Sequence, residues 1–183
     1  MDPTALVAFV ATYQDLSWVL DDAQQLLLRR LTPSAFDDDG GTWGIVLAQT
    51  YALQGNMLKA RVYADSSRLA NERQLRETPL DAQRRVFLGL ALAYLGQKAA
   101  AMREGERAVA QLPMSRDAYY GPYIQHQLAR IYLLIDESEM ALDRLEPLLK
   151  FPYPLSPGWL KIDPNFDPLR GNPRFERLVN AKP

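Results

Sequence analysis

Apolar residues along most of this chain recur at steps of three and four, the spacing that places them on one face of an α-helix. The stretch from Asp15 to Leu31 shows this spacing and is predicted to form one helix. Its apolar positions are Leu16, Val19, Leu20, Ala23, Leu27 and Leu31. No segment shows the sustained alternation typical of a half-buried strand, so the pattern predicts an all-α protein.

Short polar residues ahead of the apolar patterns predict where the middle helices begin, because their side chains can cap free backbone N–H groups. The candidate caps are Thr42, Asn56, Thr78 with Asp81 three residues on, and Asp136 with Glu139 three residues on. Glycines and prolines predict the helix ends. The predicted ends are Gly55, about Glu77, Gly96, Leu112 before Pro113, and Ile135 for a helix that begins at Pro122. Pro147 lies inside the last of these helices and predicts either a kink or a restart.

Small residues recur at fixed distances from the predicted helix ends. Three sets of residues have the same internal spacing. They are Leu47-Ala48, Tyr51, Gly55 and Ala60; Leu88-Gly89, Leu92, Gly96 and Ala101; and Leu128-Ala129, Tyr132, Asp136 and Ala141. Two antiparallel helices can approach closely where each carries a small side chain, and a bulkier residue there would cost about 1–3 kcal/mol. The pattern predicts three packed helix hairpins.

These positions resemble the tetratricopeptide repeat, a helix–turn–helix unit with small residues at its eighth and twentieth positions. The resemblance implies a single domain, an α-solenoid of antiparallel helix hairpins over residues 1–183. Its predicted parts are N-terminal helices at 1–33, repeats at 41–74, 82–115 and 122–155, and a proline-rich C-terminal cap at 156–183. Gly44 and Arg85 depart from the repeat pattern, which prefers an aromatic residue at their position.

The stretch 151–178 holds six of the thirteen prolines of the chain. Asp163-Pro164, Asp167-Pro168 and Asn172-Pro173 each place a capping side chain before a proline, which predicts a series of short, stiff turns. A stack of repeats exposes the apolar side of its last helix, so this tail is expected to cover that helix. The alternative is a docking patch formed by Trp159 and Phe166.

The segment LSPGWLKIDPNFDPLRGNPRFERL, with LDDAQQLLLRRLTPSAFDDD and LGLALAYLGQKAAAMREGERAVAQLP, resembles the C-terminal repeat region of large bacterial signalling proteins. In those proteins a serine/threonine kinase or another output domain precedes tetratricopeptide repeats. The resemblance implies a regulatory or scaffolding part of a larger protein. The sequence lacks the glycine-rich loop and the His-Arg-Asp and Asp-Phe-Gly motifs of a kinase, so no kinase activity is expected.

Charge and composition argue against several classes of partner. The chain has 21 basic and 22 acidic residues, so it has no charge excess that would attract nucleic acid or an anionic membrane. No apolar run approaches the roughly 20 residues of a membrane span, and the first residues lack the basic region of a signal peptide. The absence of cysteine excludes disulfides and thiolate sites. A cytoplasmic location is predicted.

The residues that could carry catalysis or bind metal are sparse. His126 is the only histidine, which rules out a histidine-rich metal site. Asp37, Asp38 and Asp39 are consecutive, whereas the ligands of a calcium loop alternate. Gly40-Gly41 lacks the lysine of a phosphate-binding loop. We therefore expect neither catalytic residues, nor a metal, nor a cofactor, and predict that the protein is not an enzyme.

In a solenoid of this type the first helix of each unit lines a concave face, where partners bind. The repeat register places there Thr42, Ile45, Gln49 and Leu53; Gln83, Val86, Leu90 and Tyr94; and Tyr123, His126, Arg130 and Leu134. We expect a peptide or partner protein to be bound by Gln49, Gln83, Tyr94, Tyr123, His126 and Arg130.

Some alternatives remain open at the level of sequence. Arg130 could grip a carboxylate of the partner in a bidentate fork or form an intramolecular salt bridge. If it grips the partner, replacing Arg130 and Tyr94 by alanine should weaken binding without unfolding the domain. Self-association through Leu6, Phe9 and Trp18 is a second function class, and a sensor of small ligands is a third.

Overall fold

The computed structural model describes residues 2–180, and every regular element in that range is helical. The α-helices are α1 (Pro3–Thr12), α2 (Asp22–Leu28), α3 (Gly40–Leu53), α4 (Met57–Glu77), α5 (Ala82–Tyr94), α6 (Lys98–Gln111), α7 (Tyr120–Leu134), α8 (Ser138–Leu148), α9 (Pro157–Ile162) and α10 (Pro173–Asn180). Short 3-10 segments cover Tyr13–Val19, Pro33–Phe36 and Pro164–Leu169. The prediction of an all-α protein is confirmed. Within residues 2–180 no helix is both long and apolar enough to cross a membrane.

The prediction of one N-terminal helix over Asp15 to Leu31 is wrong. Gln14 and Asp15 have left-handed backbone angles, with φ of 51° and 59°, which break a right-handed helix. Only Asp22–Leu28 of this stretch is α-helical. The apolar spacing failed here because the side chain of Asp15 turns inward, towards partners far away along the chain.

Three of the four predicted caps differ in the structure, two of them at α3 and α5. Asn56 caps α4 as expected, accepting from the backbone N–H of Lys59 at 3.1 Å. Helix α3, however, is capped by Asp39, which accepts from the backbone N–H of Thr42 at 3.1 Å while the Thr42 hydroxyl donates to it at 2.6 Å. Helix α5 is capped by Asp81. In both helices a carboxylate displaces the expected threonine, because a negative charge also interacts with the positive end of the helix dipole.

The three predicted hairpin turns share one backbone conformation. Gly55, Gly96 and Asp136 have φ of 75°, 77° and 68°. In each turn the next residue donates its backbone N–H to a carbonyl near the helix end, at 2.8 Å for Asn56, 2.9 Å for Gln97 and 2.8 Å for Glu137. Asp136 therefore takes the place of the turn glycine and does not cap α8, whose N-cap residue is Glu137.

Consecutive helices from α3 to α8 pack against one another. The six small residues of the predicted pattern are all buried: Ala48, Ala60, Gly89, Ala101, Ala129 and Ala141. A Cβ atom on Gly44 would lie 2.8 Å from the Ser67 backbone nitrogen and 2.9 Å from the Tyr63 carbonyl oxygen, so the aromatic residue expected there cannot fit. Arg85, the other departure, forms a buried ion pair with Glu104 at 2.6 Å.

The proline-rich tail packs onto α7 and α8. Its buried residues join the larger of two apolar cores and are Leu160, Phe166, Leu169, Phe175 and Val179. Arg174 ties α10 to the acidic side of α8, with salt bridges of 2.7 Å to Asp143 and 2.6 Å to Glu146. Because Phe166 is fully buried, it cannot take part in a docking patch with Trp159.

Three further predictions about the prolines and the N-terminal residues can be compared with the structure. Pro147 is the penultimate residue of α8, so that helix ends just after it and neither kinks nor restarts. Asp163 and Asn172 accept backbone hydrogen bonds ahead of their prolines, whereas Pro168 lies inside a 3-10 segment and begins no element. Leu6 and Phe9 are exposed on α1, and Trp18 is half-buried.

Close packing of α3 on α4 predicts opposite results for two identical substitutions. Gly44→Ala should destabilise the protein by about 1–3 kcal/mol, because the new methyl group would overlap backbone atoms of α4. Gly40→Ala should be neutral or slightly stabilising, since its Cβ would lie 3.7 Å from Ala70. Urea unfolding of both variants measures the difference, and equal midpoints would contradict the packing described here.

The shared turn conformation predicts a second matched pair. Gly96→Ala should destabilise by about 1 kcal/mol, because alanine is strained at positive φ while its methyl group meets no other atom. Asp136→Gly should stabilise by a similar amount, since the exposed pair that Asp136 forms with Lys98 contributes little. The two urea midpoints should move in opposite directions, and a shift in the same direction would refute the equivalence of the turns.

Candidate functional site

The residues predicted to bind a partner lie on a face shared by α3, α5 and α7, and most of them are covered by the chain itself. Tyr123 is half-buried and Gln83 is exposed. The other four are buried: Gln49, Tyr94, His126 and Arg130. The 3-10 segment Tyr13–Val19 and the tail residues 153–166 supply the side chains that contact these residues.

Asp15 lies at the centre of this arrangement. Its Oδ2 accepts a hydrogen bond from Gln127 Nε2 at 2.6 Å and forms a salt bridge with Arg130 Nη1 at 3.1 Å. Tyr123 donates its hydroxyl to the same oxygen at 3.4 Å. Both charged side chains are almost completely removed from solvent. Of the two alternatives for Arg130, the structure shows the intramolecular salt bridge.

The position of Asp15 depends on the unusual backbone of its segment. Left-handed angles at Gln14 and Asp15 cost roughly 1–2 kcal/mol each for residues with a Cβ atom. Such strain persists only where surrounding contacts hold it in place. Here those contacts are the hydrogen bonds of Asp15 to α7 and the bond that Gln14 Oε1 accepts from the Tyr153 hydroxyl at 2.6 Å.

The buried charges shift one another's ionisation. Burial raises the pKa of Asp15, and the charge of Arg130 and the hydrogen bond from Gln127 oppose this rise. Burial works to lower the pKa of Arg130, but the attraction of Asp15 together with those of Tyr94, Asp163 and Tyr123 outweighs burial and raises the pKa, so Arg130 stays charged. Burial and the nearby charge of Asp15 raise the pKa of Tyr123, so its phenol stays protonated and can donate.

Arg130 also links α7 to the C-terminal tail. Its Nη2 donates to Asn165 Oδ1 at 2.9 Å, and Asn165 Nδ2 donates to Asp163 Oδ1 at 2.7 Å. Asp163 further accepts from Trp159 Nε1 at 3.0 Å. One guanidinium thus joins the N-terminal segment, α7 and the tail, which meet only in the folded chain.

His126 is a neutral packing residue in this structure. Its ring stacks on Phe166 with 5.8 Å between centroids, and its Nδ1 lies 3.1 Å from the Tyr153 hydroxyl. The Tyr153 hydroxyl donates its hydrogen to Gln14 Oε1. Nδ1 of His126 must therefore carry a hydrogen and donate it to the Tyr153 oxygen. Burial, together with the charge of Arg130, lowers the pKa of His126 to about 3.

The part of this face that stays open is a pocket of about 330 Å³. Five segments that are far apart in sequence form it. Its lining residues are Thr12, Tyr13, Gln14, Asp15, Thr42, Ile45, Val46, Gln83, Phe87, Ala118, Tyr119, Tyr120, Tyr123, Pro152, Tyr153 and Pro154. We call it the tyrosine pocket, since five of these side chains are tyrosines. Its volume falls at the small end of ligand pockets in proteins.

The tyrosine pocket contains two of the six predicted binding residues, Gln83 and Tyr123. Sequence reasoning missed Tyr119 and Tyr120, which are 77% and 51% exposed at the start of α7. Two adjacent tyrosines ahead of a helix were a usable signal, because large exposed aromatic residues mark binding surfaces. No residue near Asp15 in the sequence indicated that Asp15 would line the pocket.

The polar groups of this region are not arranged for metal chemistry. Among residues 2–180 no group of three or more acidic or histidine side chains could hold a metal ion. Comparisons with protein-family models, with curated proteins and with solved structures find no match to this chain. The geometry of the pocket is therefore the main guide to function.

The buried ion pair predicts a strongly non-additive set of variants. Arg130→Met should destabilise the fold by roughly 3–5 kcal/mol, because the buried carboxyl of Asp15 would lose its charged partner. The double variant Asp15→Asn with Arg130→Met should cost less than Arg130→Met alone. Urea unfolding of the two single variants and the double variant measures the coupling, and additive costs would show that the pair contributes nothing.

The burial of the predicted binding residues changes the expected result of the double alanine variant. Arg130 and Tyr94 are both buried, so replacing them by alanine is expected to destabilise the fold and cannot serve as a clean test of partner binding.

The lowered pKa of His126 predicts a specific loss of stability in acid. The histidine titrates near pH 6.5 in an unfolded chain and near 3 in the fold. Its contribution to stability is therefore complete above about pH 6.5 and declines as the pH falls towards 3, with a total loss on the order of 5 kcal/mol. The variant His126→Gln should lack this part of the decline. Urea midpoints between pH 7 and 4 would contradict the assignment if both proteins gave parallel curves.

Proposed function

We propose that this chain is a protein-interaction module and that a peptide segment of its partner binds in the tyrosine pocket. The observation that carries the proposal is the pocket itself, an open cavity of about 330 Å³ with six aromatic side chains among its sixteen lining residues. Tyrosine is enriched in interfaces because it offers a large, rigid apolar surface with a polar tip. The aromatic rings, with Pro152 and Pro154, supply apolar walls, while Gln83 and the phenol hydroxyls supply hydrogen bonds.

The proposed architecture is a solenoid of three tetratricopeptide-like hairpins, α3 with α4, α5 with α6, and α7 with α8. Three observations support it: successive helices pack together, the three hairpin turns share one backbone conformation, and the recurring small residues are buried. In such a solenoid α3, α5 and α7 line the concave face. The proposed partner site on that face accordingly differs from the six residues that the sequence suggested and is limited to the open pocket. Gln83, Tyr119, Tyr120 and Tyr123 contact the partner, and Arg130 and His126 hold the chain's own segments.

The protein is proposed to act without catalysis, as a regulatory or scaffolding part of a larger signalling protein. The resemblance of the tail and repeats to bacterial signalling proteins supports the larger context. The neutral, buried state of His126 supports a non-catalytic role, because the residue is not free to transfer protons in the pocket.

Self-association through α1 is the second candidate function. Phe9 is 61% exposed on this helix and stacks on Tyr13, with 5.6 Å between ring centroids. A second copy of the chain covering Phe9 would lie beside the tyrosine pocket. Sedimentation of the wild-type protein and the variant Phe9→Ser distinguishes this function, since only an α1 interface predicts that the variant changes the association state.

The proposed function predicts that peptides selected for binding will depend on the pocket. Peptides enriched from a random display library should bind the variant Tyr120→Ala about tenfold or more weakly, since removing an exposed anchor at an interface typically costs 1–3 kcal/mol. The control is Leu58→Ala on α4, where another exposed apolar residue lies outside the pocket. Calorimetric titration measures both. Equal losses for the two variants, or no enriched peptide that distinguishes them, would refute the site.

A further inference from the structure

The tyrosine pocket has one charged lining residue, and that residue is an acid. Asp15 is the only charged side chain in its lining. The positive charge closest to it, that of Arg130, is already paired with Asp15 and is buried. The pocket therefore offers no unpaired positive charge to an acidic group of a ligand, and it differs in this from a site built to grip carboxylates.

The two carboxylate oxygens of Asp15 are used unequally. The contacts with Gln127, Arg130 and Tyr123 all go to Oδ2. Oδ1 accepts no hydrogen bond from residues 2–180. The side-chain amide of buried Gln49 lies near Asp15 and works to lower the pKa of its carboxyl, although Nε2 of Gln49 meets no acceptor at full hydrogen-bonding geometry.

Oδ1 of Asp15 is not among the fully enclosed side-chain atoms without a partner, although only 6% of the Asp15 side chain is exposed. The fully enclosed side-chain atoms that lack a partner, among the described residues, lie elsewhere: on Trp18, Gln49, Asn71, Gln74 and His126. Asp15 itself lines the open pocket. A carboxylate oxygen can accept two hydrogen bonds, so Asp15 gives the pocket an acceptor that is largely buried and makes few contacts of its own.

The walls around this acceptor are aromatic. Tyr13, Tyr119, Tyr120, Tyr123, Tyr153 and Phe87 line the same cavity. The faces of aromatic rings attract cations, and a guanidinium can also stack flat against them. Aromatic walls also pack well against the aliphatic part of a long basic side chain.

We propose that the tyrosine pocket binds a basic side chain of the partner, an arginine or a lysine, whose N–H groups donate to Asp15 Oδ1 while its stem lies between the tyrosine rings. This inference rests on the proposed function, because it names the chemistry of the peptide that the pocket takes. It also assigns Asp15 two roles, since Oδ2 holds the segment Tyr13–Val19 onto α7 and Oδ1 recognises the ligand. Burial leaves the ionised form of Asp15 incompletely stabilised, and a cation at Oδ1 would supply the missing stabilisation.

The test uses peptides whose binding to the full chain is lost in Tyr120→Ala. The inference predicts that these peptides carry an arginine or a lysine. Replacing that arginine by citrulline, or that lysine by acetyl-lysine, should weaken binding at least about tenfold, because each replacement keeps the length of the side chain but removes its charge. Replacement by glutamate should abolish binding. Each titration is made with the wild-type protein, so the comparison does not depend on the stability of a variant.

The outcomes separate this inference from the proposed function. Pocket-dependent peptides that lack a basic residue, or that bind equally well with the neutral replacement, would overturn the inference and leave the proposed function intact. If no selected peptide depends on Tyr120, the proposed function fails and the inference fails with it. As a further check, the variant Asp15→Asn, if its circular dichroism matches the wild type, should bind the arginine and citrulline peptides with nearly equal affinity.

Discussion

The buried pair of Asp15 and Arg130 is the contact on which the arrangement of this protein depends. It joins an N-terminal segment to α7 over more than a hundred residues of sequence, at 3.1 Å, and Arg130 continues the connection to the C-terminal tail through Asn165. A buried ion pair is weak evidence for stability in itself, because removing two charges from water is costly. The pair instead specifies where the N-terminal segment lies on α7. Without Arg130, the buried carboxylate of Asp15 would have only the uncharged donors Gln127 and Tyr123 to hold it inward.

The same pair decides what the face of α3, α5 and α7 can do. In the proposed solenoid this face would ordinarily offer its polar side chains to a partner, and Arg130 would be the expected anchor for a carboxylate. Here the chain supplies its own carboxylate, and Tyr153 and Phe166 cover His126. What stays accessible is a smaller pocket with aromatic walls and one acidic residue. Intramolecular contacts have thereby changed both the size and the charge preference of the proposed site.

Local patterns predicted the helices well and long-range polar contacts poorly. The spacing of apolar residues, the glycines and Asn56 correctly indicated most elements from α3 to α8, and the buried alanines followed from their recurrence. The N-terminal segment and the role of Asp15 could not be predicted in this way, because the partner of Asp15 lies on α7 and no neighbouring residue signals it. The carboxylate caps Asp39 and Asp81 were missed for a simpler reason, since each stands close to a threonine that is also a good cap.

The central claim is that Arg130 is held by Asp15 inside the protein and does not face a partner. Nuclear magnetic resonance of the arginine guanidinium groups tests this most directly. If the claim is right, the Nη protons of Arg130 give separate, slowly exchanging signals with nuclear Overhauser contacts to the β-protons of Asp15. A single averaged signal that exchanges rapidly with water, as for an exposed arginine, would contradict it.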